Sequence, residues 1–451
     1  MKTMKKKGIS RRDFFAGTAA LSATSIIVPG IFTSCGLSKN QEAIYSFKKR
    51  ELNLPPLLDI APDGKELKAG VVGCGGRGTG AAINFLDAGP NLKITALGDV
   101  FKDRIDGCRE KLKTQKGVEV PEENCFTGFD AFEKVIDSGV DVVILATPPV
   151  FRPAHFEAAV KAGKHVFLEK PVAVDPVGVR SIMATSKMAE SAGLKIVSGT
   201  HKRHETGFVE LLRKVNENAV GELISANIYF NMQRLWFRTR DAAWSDMEWM
   251  IRDWVNWCWL SGDHIVEQHV HNIDIANWFF GTHPVKALGF GSRHRRPTGD
   301  QYDNFSVDFT LADGRQIHSM CRQINGTDNL VTDVFHGTKG IASTNDWKSP
   351  KIYDVFGNEV ETIAEDKIGG HAREQIDLVT CIRKDITINE AEQTAISTMV
   401  AIMGRISAYT GKTVTYEEMM NSDLKLGPDV YVMGDNGLVK NAGLHVPGKE
   451  V

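Results

Sequence analysis

No apolar run in the sequence reaches the roughly 20 residues that a conventional transmembrane helix needs. There is no basic surplus either. The chain carries 54 Lys plus Arg against 56 Asp plus Glu, a formal net charge of −2. Nucleic-acid binders normally carry a basic excess, so that class is disfavoured. Only seven cysteines occur in 451 residues. None has C-x-x-C spacing, which excludes a zinc ribbon and a dense disulfide scaffold. H-E-x-x-H is also absent, which removes the commonest helical zinc motif. What is present is ordinary globular composition, with 42% hydrophobic and 24% charged residues, so the chain is not disordered as a whole. The length predicts about two to four domains.

Residues 1–34 read as an address rather than as fold. Lys2, Lys5, Lys6 and Lys7 form a basic front, followed by Ser10-Arg11-Arg12-Asp13-Phe14-Phe15 and a mildly apolar stretch from Ala16 to Val28. This order resembles a bacterial twin-arginine export signal. The resemblance implies export of the folded chain to the periplasm. Phe32-Thr33-Ser34-Cys35 resembles a loose lipobox, with Phe32 where Leu is usual. That implies a lipid on Cys35, and with it attachment to a membrane. Residues 35–66 read as a polar, proline-containing linker.

From residue 67 the pattern alternates strand and helix, as in a doubly wound α/β domain. Leu67 to Val72 is a short apolar strand that runs into Gly73-Cys74-Gly75-Gly76-Arg77-Gly78. A helical pattern follows, then a second strand ending at Asp99. Strand, G-x-G-x-x-G, helix and a following acid form the dinucleotide-binding pattern. The glycines let backbone N–H groups approach a pyrophosphate, and the helix N-terminus offsets its charge. Asp99 can accept both ribose hydroxyls and would repel a 2′-phosphate, which favours NAD over NADP. Lys102 and Arg104 follow closely and weaken that preference. Further strands are predicted at Val140–Ala146, His165–Leu168 and Lys195–Ser198. Thr147, Pro148 and Lys170 fall at strand C-terminal ends, where such sheets bind ligands. The first domain is therefore placed at residues 67–198.

At Glu169-Lys170-Pro171 the sequence resembles the Gfo/Idh/MocA oxidoreductases. The other matching elements are the glycine loop, Ala146-Thr147-Pro148, and Glu267-x-x-x-His271-x-x-Asp274. The resemblance implies a Rossmann domain followed by an α/β domain, here residues 199–410, whose open, mostly antiparallel sheet often mediates oligomerisation. It also implies nicotinamide-dependent chemistry on sugars, cyclitols or glycosides. Carried over residue by residue, Lys170 and His271 match the usual catalytic lysine and histidine. Glu267 stands where Asp is common. Gly73, Gly75, Gly76, Arg77, Gly78, Asp99, Thr147, Pro148, Glu169 and Lys170 would hold the cofactor.

The residue types suit the chemistry. Hydride transfer needs a held nicotinamide, a base for the alcohol proton and a group that fixes the hydroxyl. His271 titrates near working pH. Lys170 can hydrogen-bond the hydroxyl. Glu267, one helical turn before His271, would share its face. His264, Glu267, Gln268 and His271 on one helical face would also allow a metal, but they suit a sugar-binding face better, and no metal is assigned. His201, Lys202 and His204, after a strand end, could border the pocket, with a solvated loop the first expectation for at least two of them. Arg293 to Pro297 is expected to be another. Six of eight tryptophans fall between Trp236 and Trp259, interleaved with Arg234, Arg238, Arg240 and Arg252. Core and subunit packing is the first expectation for the tryptophans, and stacking on a sugar is the second. The arginines should rim an interface or pocket. Strands are expected at Leu223–Phe230, Val285–Gly289, Phe305–Leu311 and Arg315–Cys321, with Asp313-Gly314 as a hairpin turn. Residues 411–451 form a tail with no assigned place.

Three readings follow. The first is a dehydrogenase that oxidises a sugar or glycoside hydroxyl, with C3 as the best guess and a 3-keto-glycoside as product. The second is a redox-neutral NAD-dependent glycosidase. The third is a non-catalytic sugar-binding lipoprotein. An exported dehydrogenase meets no soluble NAD pool, so the first two require a cofactor loaded before export and held tightly. A homo-oligomer is expected in each case.

Overall fold

A computed structural model describes residues 47–448, apart from 436 and 442. Residues 1–34, which resemble an export signal, and Cys35 lie outside the described residues. Among the described residues, no helix is long and apolar enough to cross a membrane.

Six parallel strands form the first sheet: β1 (Leu67–Val72), β2 (Leu92–Asp99), β3 (Cys125–Thr127), β4 (Val142–Leu145), β5 (His165–Leu168) and β6 (Ile196–Ser198). Their spatial order is β3-β2-β1-β4-β5-β6. The order reverses between β1 and β4, which opens a crevice at their C-terminal ends. Strand alternation sends neighbouring side chains to opposite faces. Val143, Leu145, Val166 and Leu168 enter one apolar core. Val142, Ile144 and Phe167 enter the other. Each strand is apolar on both faces, as a helix-covered parallel sheet requires.

The second sheet has nine strands: β7 (Leu223–Met232), β8 (Lys286–Ser292), β9 (Asn304–Thr310), β10 (Gln316–Gln323), β11 (Leu330–Gly337), β12 (Gly340–Ser343), β13 (Lys351–Asp354), β14 (Glu359–Thr362) and β15 (Val414–Thr415). The order is β14-β13-β12-β11-β7-β10-β9-β8-β15. All neighbours are antiparallel except β7 and β10. One face is packed. The other exposes Leu288, Phe290 and Met320, which lie in neighbouring rows of β8 and β10 across β9.

Two late helices tie the sheets together. The Ala391–Thr410 helix packs on both β8 and the Pro176–Ser191 helix. The latter begins at Pro176 because Asp175 accepts a hydrogen bond from the Gly178 N–H at 2.7 Å and proline suits the first helical turn. The Gly370–Lys384 helix crosses back to the glycine-loop helix, Gly76–Asp87, and adds Ile376, Leu378 and Val379 to the first domain's core. The C-terminal stretch is also built in. β15 pairs with β8, a capping box at Thr415 starts the Tyr416–Met420 helix, and the Leu426 N–H reaches Asp175 at 2.8 Å.

One loop expectation is overturned, and a second holds except at Arg296, since His294, Arg295 and Pro297 are exposed. His201–His204 is a short 3-10 turn in which Lys202, Arg203 and His204 are buried. Arg296 is also buried, because Tyr302 O at 2.6 Å and Gln323 Oε1 at 2.9 Å accept its N–H groups and Asp303 lies 3.8 Å away. Burial of a guanidinium is tolerated where its donors are met.

Candidate active site

Two glycines of the loop are set by contact. Gly73 has φ +93°, and a Cβ there would meet the backbone of Ala146 and Thr147 at 2.7 Å. A Cβ on Gly78 would collide with the Gly73 carbonyl. Gly75 and Gly76 differ: a Cβ on either meets nothing within 4 Å, so their backbones border open space. Gly75 caps the Gly76–Asp87 helix with no side chain on its first N–H groups. Free N–H groups at a helix N-terminus beside open space fit a dinucleotide pyrophosphate.

That space is a cavity of about 360 Å³ lined in part by Gly73, Gly75, Gly76, Asp99, Thr147 and Pro148. Asp99 closes β2 onto the loop. Its Oδ2 accepts the Cys74 N–H at 2.8 Å and its Oδ1 the Phe101 N–H at 2.9 Å. Burial pushes its pKa up, while these bonds pull it down. A fixed carboxylate at this strand end suits ribose hydroxyls. Arg104 lines the same cavity, whereas Lys102 turns away to Asp106 and Glu122.

Arg77, Gly78, Glu169 and Lys170 do not line this cavity. Arg77 bridges Glu169 and Glu374 through two ion pairs, which joins the glycine loop to the end of β5 and to the Gly370–Lys384 helix. Lys170 follows β5. Its Nζ donates to Glu267 O at 2.6 Å and lies 3.3 Å from Glu267 Oε1. An ammonium has three donors, so one N–H remains for a ligand. Glu267 is buried and also takes a bond from Gln268. Burial raises its pKa, while the Lys170 and Arg152 charges pull it back.

His271 sits beside this pair. It is buried, and its Nδ1 has no hydrogen-bond partner among the described residues. Burial, followed by the charge of Lys170, holds its pKa well below the ordinary histidine value. The ring is therefore neutral at neutral pH. His201 lies 4.9 Å from it between ring centroids, His371 lies 4.1 Å from His201, and Trp347 lies 6.1 Å from His271. His201 is held by Glu205 at 3.1 Å and lowered to about 4 by burial.

Residues 67–200 match the family model described as an oxidoreductase family with an NAD-binding Rossmann fold. Residues 208–343 match the GFO/IDH/MocA C-terminal domain. The chain belongs to the Gfo/Idh/MocA oxidoreductase family.

Similar proteins include scyllo-inositol 2-dehydrogenase (NAD(+)) of Bacillus subtilis strain 168, 23% identical over 245 residues, which cover 54% of this chain and 63% of that protein. A glycosyl hydrolase family 109 protein of Solibacter usitatus is 27% identical over 248 residues, covering 54% of this chain and 51% of that one. In both cases the match spans less than two thirds of the relative's length. The solved scyllo-inositol dehydrogenase from Lactobacillus casei, with bound NAD(H) and scyllo-inositol, shares the fold with a TM-score of 0.60. Its identity is 20%, and the match covers 78% of this chain and 99% of that one.

In this Gfo/Idh/MocA protein the helix expected to carry both Glu267 and His271 is broken. It runs from His264 to Glu267 and restarts at Val270. The four residues of the possible metal face therefore do not share one helix. His264 pairs with Asp263 at 3.0 Å and Arg296 at 3.2 Å, Glu267 pairs with Lys170, and Gln268 pairs with Gln323 at 2.8 Å. Several site residues escaped the sequence reading. Trp347 and Glu205 carry no motif. Arg152, whose guanidinium reaches Pro171 O and is lowered to about 10 by burial, gave only an arginine after Pro148-Pro149 as its signal. The tryptophans divide. Trp257 and Trp259 are buried in an apolar cluster with Phe151, while Trp236 and Trp254 line the dinucleotide cavity.

Proposed function

We propose that this protein is an NAD-dependent dehydrogenase that oxidises a CH–OH group of a sugar or glycoside, with C3 of a glycoside as the reacting position. The observation that carries the reading is the pairing of an ammonium that keeps a donor for a ligand with a neutral imidazole whose Nδ1 has no partner among the described residues, next to a glycine loop open to a dinucleotide. Bound NAD would accept the hydride that leaves the carbinol carbon. Lys170 would donate its remaining N–H to the substrate oxygen and favour alkoxide character there. His271 would take the hydroxyl proton, so that the C–H and O–H bonds are replaced by a carbonyl. Glu267 fixes the lysine rather than the histidine, and so acts as a positioning residue. The Trp347 ring, near His271, supplies an apolar wall suited to a sugar face.

A second reading, redox-neutral glycoside cleavage, is favoured by the likeness to a family 109 protein and by three neighbouring imidazoles. A ketone at C3 acidifies the C2 proton. A second base among His201 and His371 could remove that proton as the C1 substituent leaves, before water adds and the hydride returns. Incubation with a glycoside panel and mass spectrometry of the products separates these readings. Keto-glycosides are expected for the first and free sugars for the second. Neither product from any glycoside would leave sugar binding without catalysis.

The Ser10–Phe15 motif and the segment before Cys35 support twin-arginine export and lipid attachment in the periplasm. The expected result is membrane-bound protein that Cys35→Ser releases into the soluble periplasmic fraction. Unchanged fractionation would remove the lipid assignment. Exposed Leu288 and Phe290 on the open sheet face support a homo-oligomer, which the solution mass of the same preparation checks.

A further inference from the structure

The dinucleotide cavity is not bordered by the Rossmann domain alone. Trp236, Arg238, Arg252 and Trp254, from the segment that follows β7, line the same space as Asp99 and the glycine loop. A Rossmann crevice by itself is open beyond the strand ends, where the adenosine half of a dinucleotide lies. Here that side has a second wall from the other domain.

Arg252 adds a polar fastening to this wall, which Met247, Met250 and Ile251 also join to Phe151 of the Rossmann domain in an apolar cluster. Arg252 Nη1 and Nη2 donate to both oxygens of Asp103 at 3.1 and 3.0 Å. Asp103 stands in the first turn of the helix after Asp99. The Arg252 guanidinium lies 3.9 Å from the centroid of the Phe101 ring, and its Nε donates to Glu248 at 2.9 Å. A bidentate pair together with a cation–π contact is stronger and more directional than a lone surface ion pair. The wall is stiff behind this point. Arg238 N–H donates to buried Asp253 at 2.6 Å, and Trp249 Nε1 donates to Arg238 O at 2.8 Å.

The geometry points to a clasp. Residues 236–254 close over the adenosine side of the cleft, Arg252 latches them to Asp103 and Phe101, and the protein holds NAD as a resident group that does not exchange during turnover. Departure of the dinucleotide requires this latch to open, so its strength appears in the release rate. The inference rests on dinucleotide binding and not on the identity of the sugar, and its test reads no turnover.

The test is a chase. The full chain, purified with NAD bound, is mixed with isotopically labelled NAD, and the bound fraction is read by mass spectrometry over time. Native protein is expected to retain unlabelled NAD for hours. Arg252→Ala is expected to release it more than threefold faster, and Asp103→Asn to act in the same direction. Asp103 is largely exposed, so Asp103→Asn decides the matter by the same threshold if Arg252→Ala does not fold. Complete exchange by native protein within a minute would overturn the clasp, as would a release rate within threefold of native in the deciding variant. Melting of the NAD-loaded variants separates a loosened latch from a damaged fold.

Discussion

Replacing Lys170 with alanine should lower kcat by about 10³-fold, the scale of one positioned proton-transfer or oxyanion-stabilising group. Bound NAD should stay unchanged. Both parts follow from position. Lys170 does not line the dinucleotide cavity, so the wall of that cavity is unchanged. The substrate hydroxyl loses its donor, and buried Glu267 loses the ammonium that holds it. A further readout distinguishes this role from a structural one. The charge of Lys170 is one cause of the low pKa of His271. Without it the imidazole pKa rises, and the acid limb of the residual activity should move to higher pH. Steady-state kinetics across pH, with mass spectrometry of bound NAD, checks all three. Near-native kcat in Lys170→Ala would remove it from the site, and an unmoved acid limb would separate it from His271.

His204→Ala should cost about 3–5 kcal/mol of stability, the usual loss when one member of a buried ionic cluster is removed. His204 is fully buried. Its Nδ1 lies 2.7 Å from Asp377 and its Nε2 3.3 Å from Glu390. Those carboxylates also accept the N–H groups of Leu57 and Ser198, each at 2.8 Å. The imidazolium thus joins the lead-in segment, the end of β6 and two later helices. Burial alone would lower its pKa, but Glu390 and Asp377 raise it to about 10. The folded state therefore binds a proton that the unfolded chain releases above about 6.5. The stabilisation is complete below that value and is lost as pH rises through about 10. Denaturant titration should show a gap between native and variant that is largest at pH 6 and shrinks towards pH 10. A gap below about 1 kcal/mol at pH 6 would refute the cluster's role.

Local order made much of the fold legible. Val72 into Gly73, then Gly78, then Asp99 is a contiguous strand–turn–helix–strand unit, and its steric reasons are short-range. Glu169-Lys170-Pro171 and His271 were legible for a similar reason, since each belongs to a short motif. What was hidden depends on contacts between distant residues. Arg77 meets Glu374 across 297 positions and Lys170 meets Glu267 across 97. No periodicity reports such pairs. Helical spacing placed Glu267 with His271, but the break at Gln268–His269 gives Glu267 to Lys170 instead. Arg296 read as solvated because Arg293-His294-Arg295-Arg296 is polar, and its burial depends on Gln323 and Asp303 from the sheet. The Trp- and Arg-rich segment showed its composition but not its partner. Only the packed domains place Trp236 and Trp254 against the cofactor cleft.

The closed adenosine side bears on how the reaction would be written as a rate law. A dinucleotide that remains in place is neither substrate nor product, so its free concentration drops out of the velocity. The enzyme would then alternate between an oxidised and a reduced form, each consumed by a different carbon compound. Two-substrate kinetics of that kind would give parallel double-reciprocal lines, and the ratio of oxidised to reduced enzyme would be set by the two substrates rather than by any cellular pool.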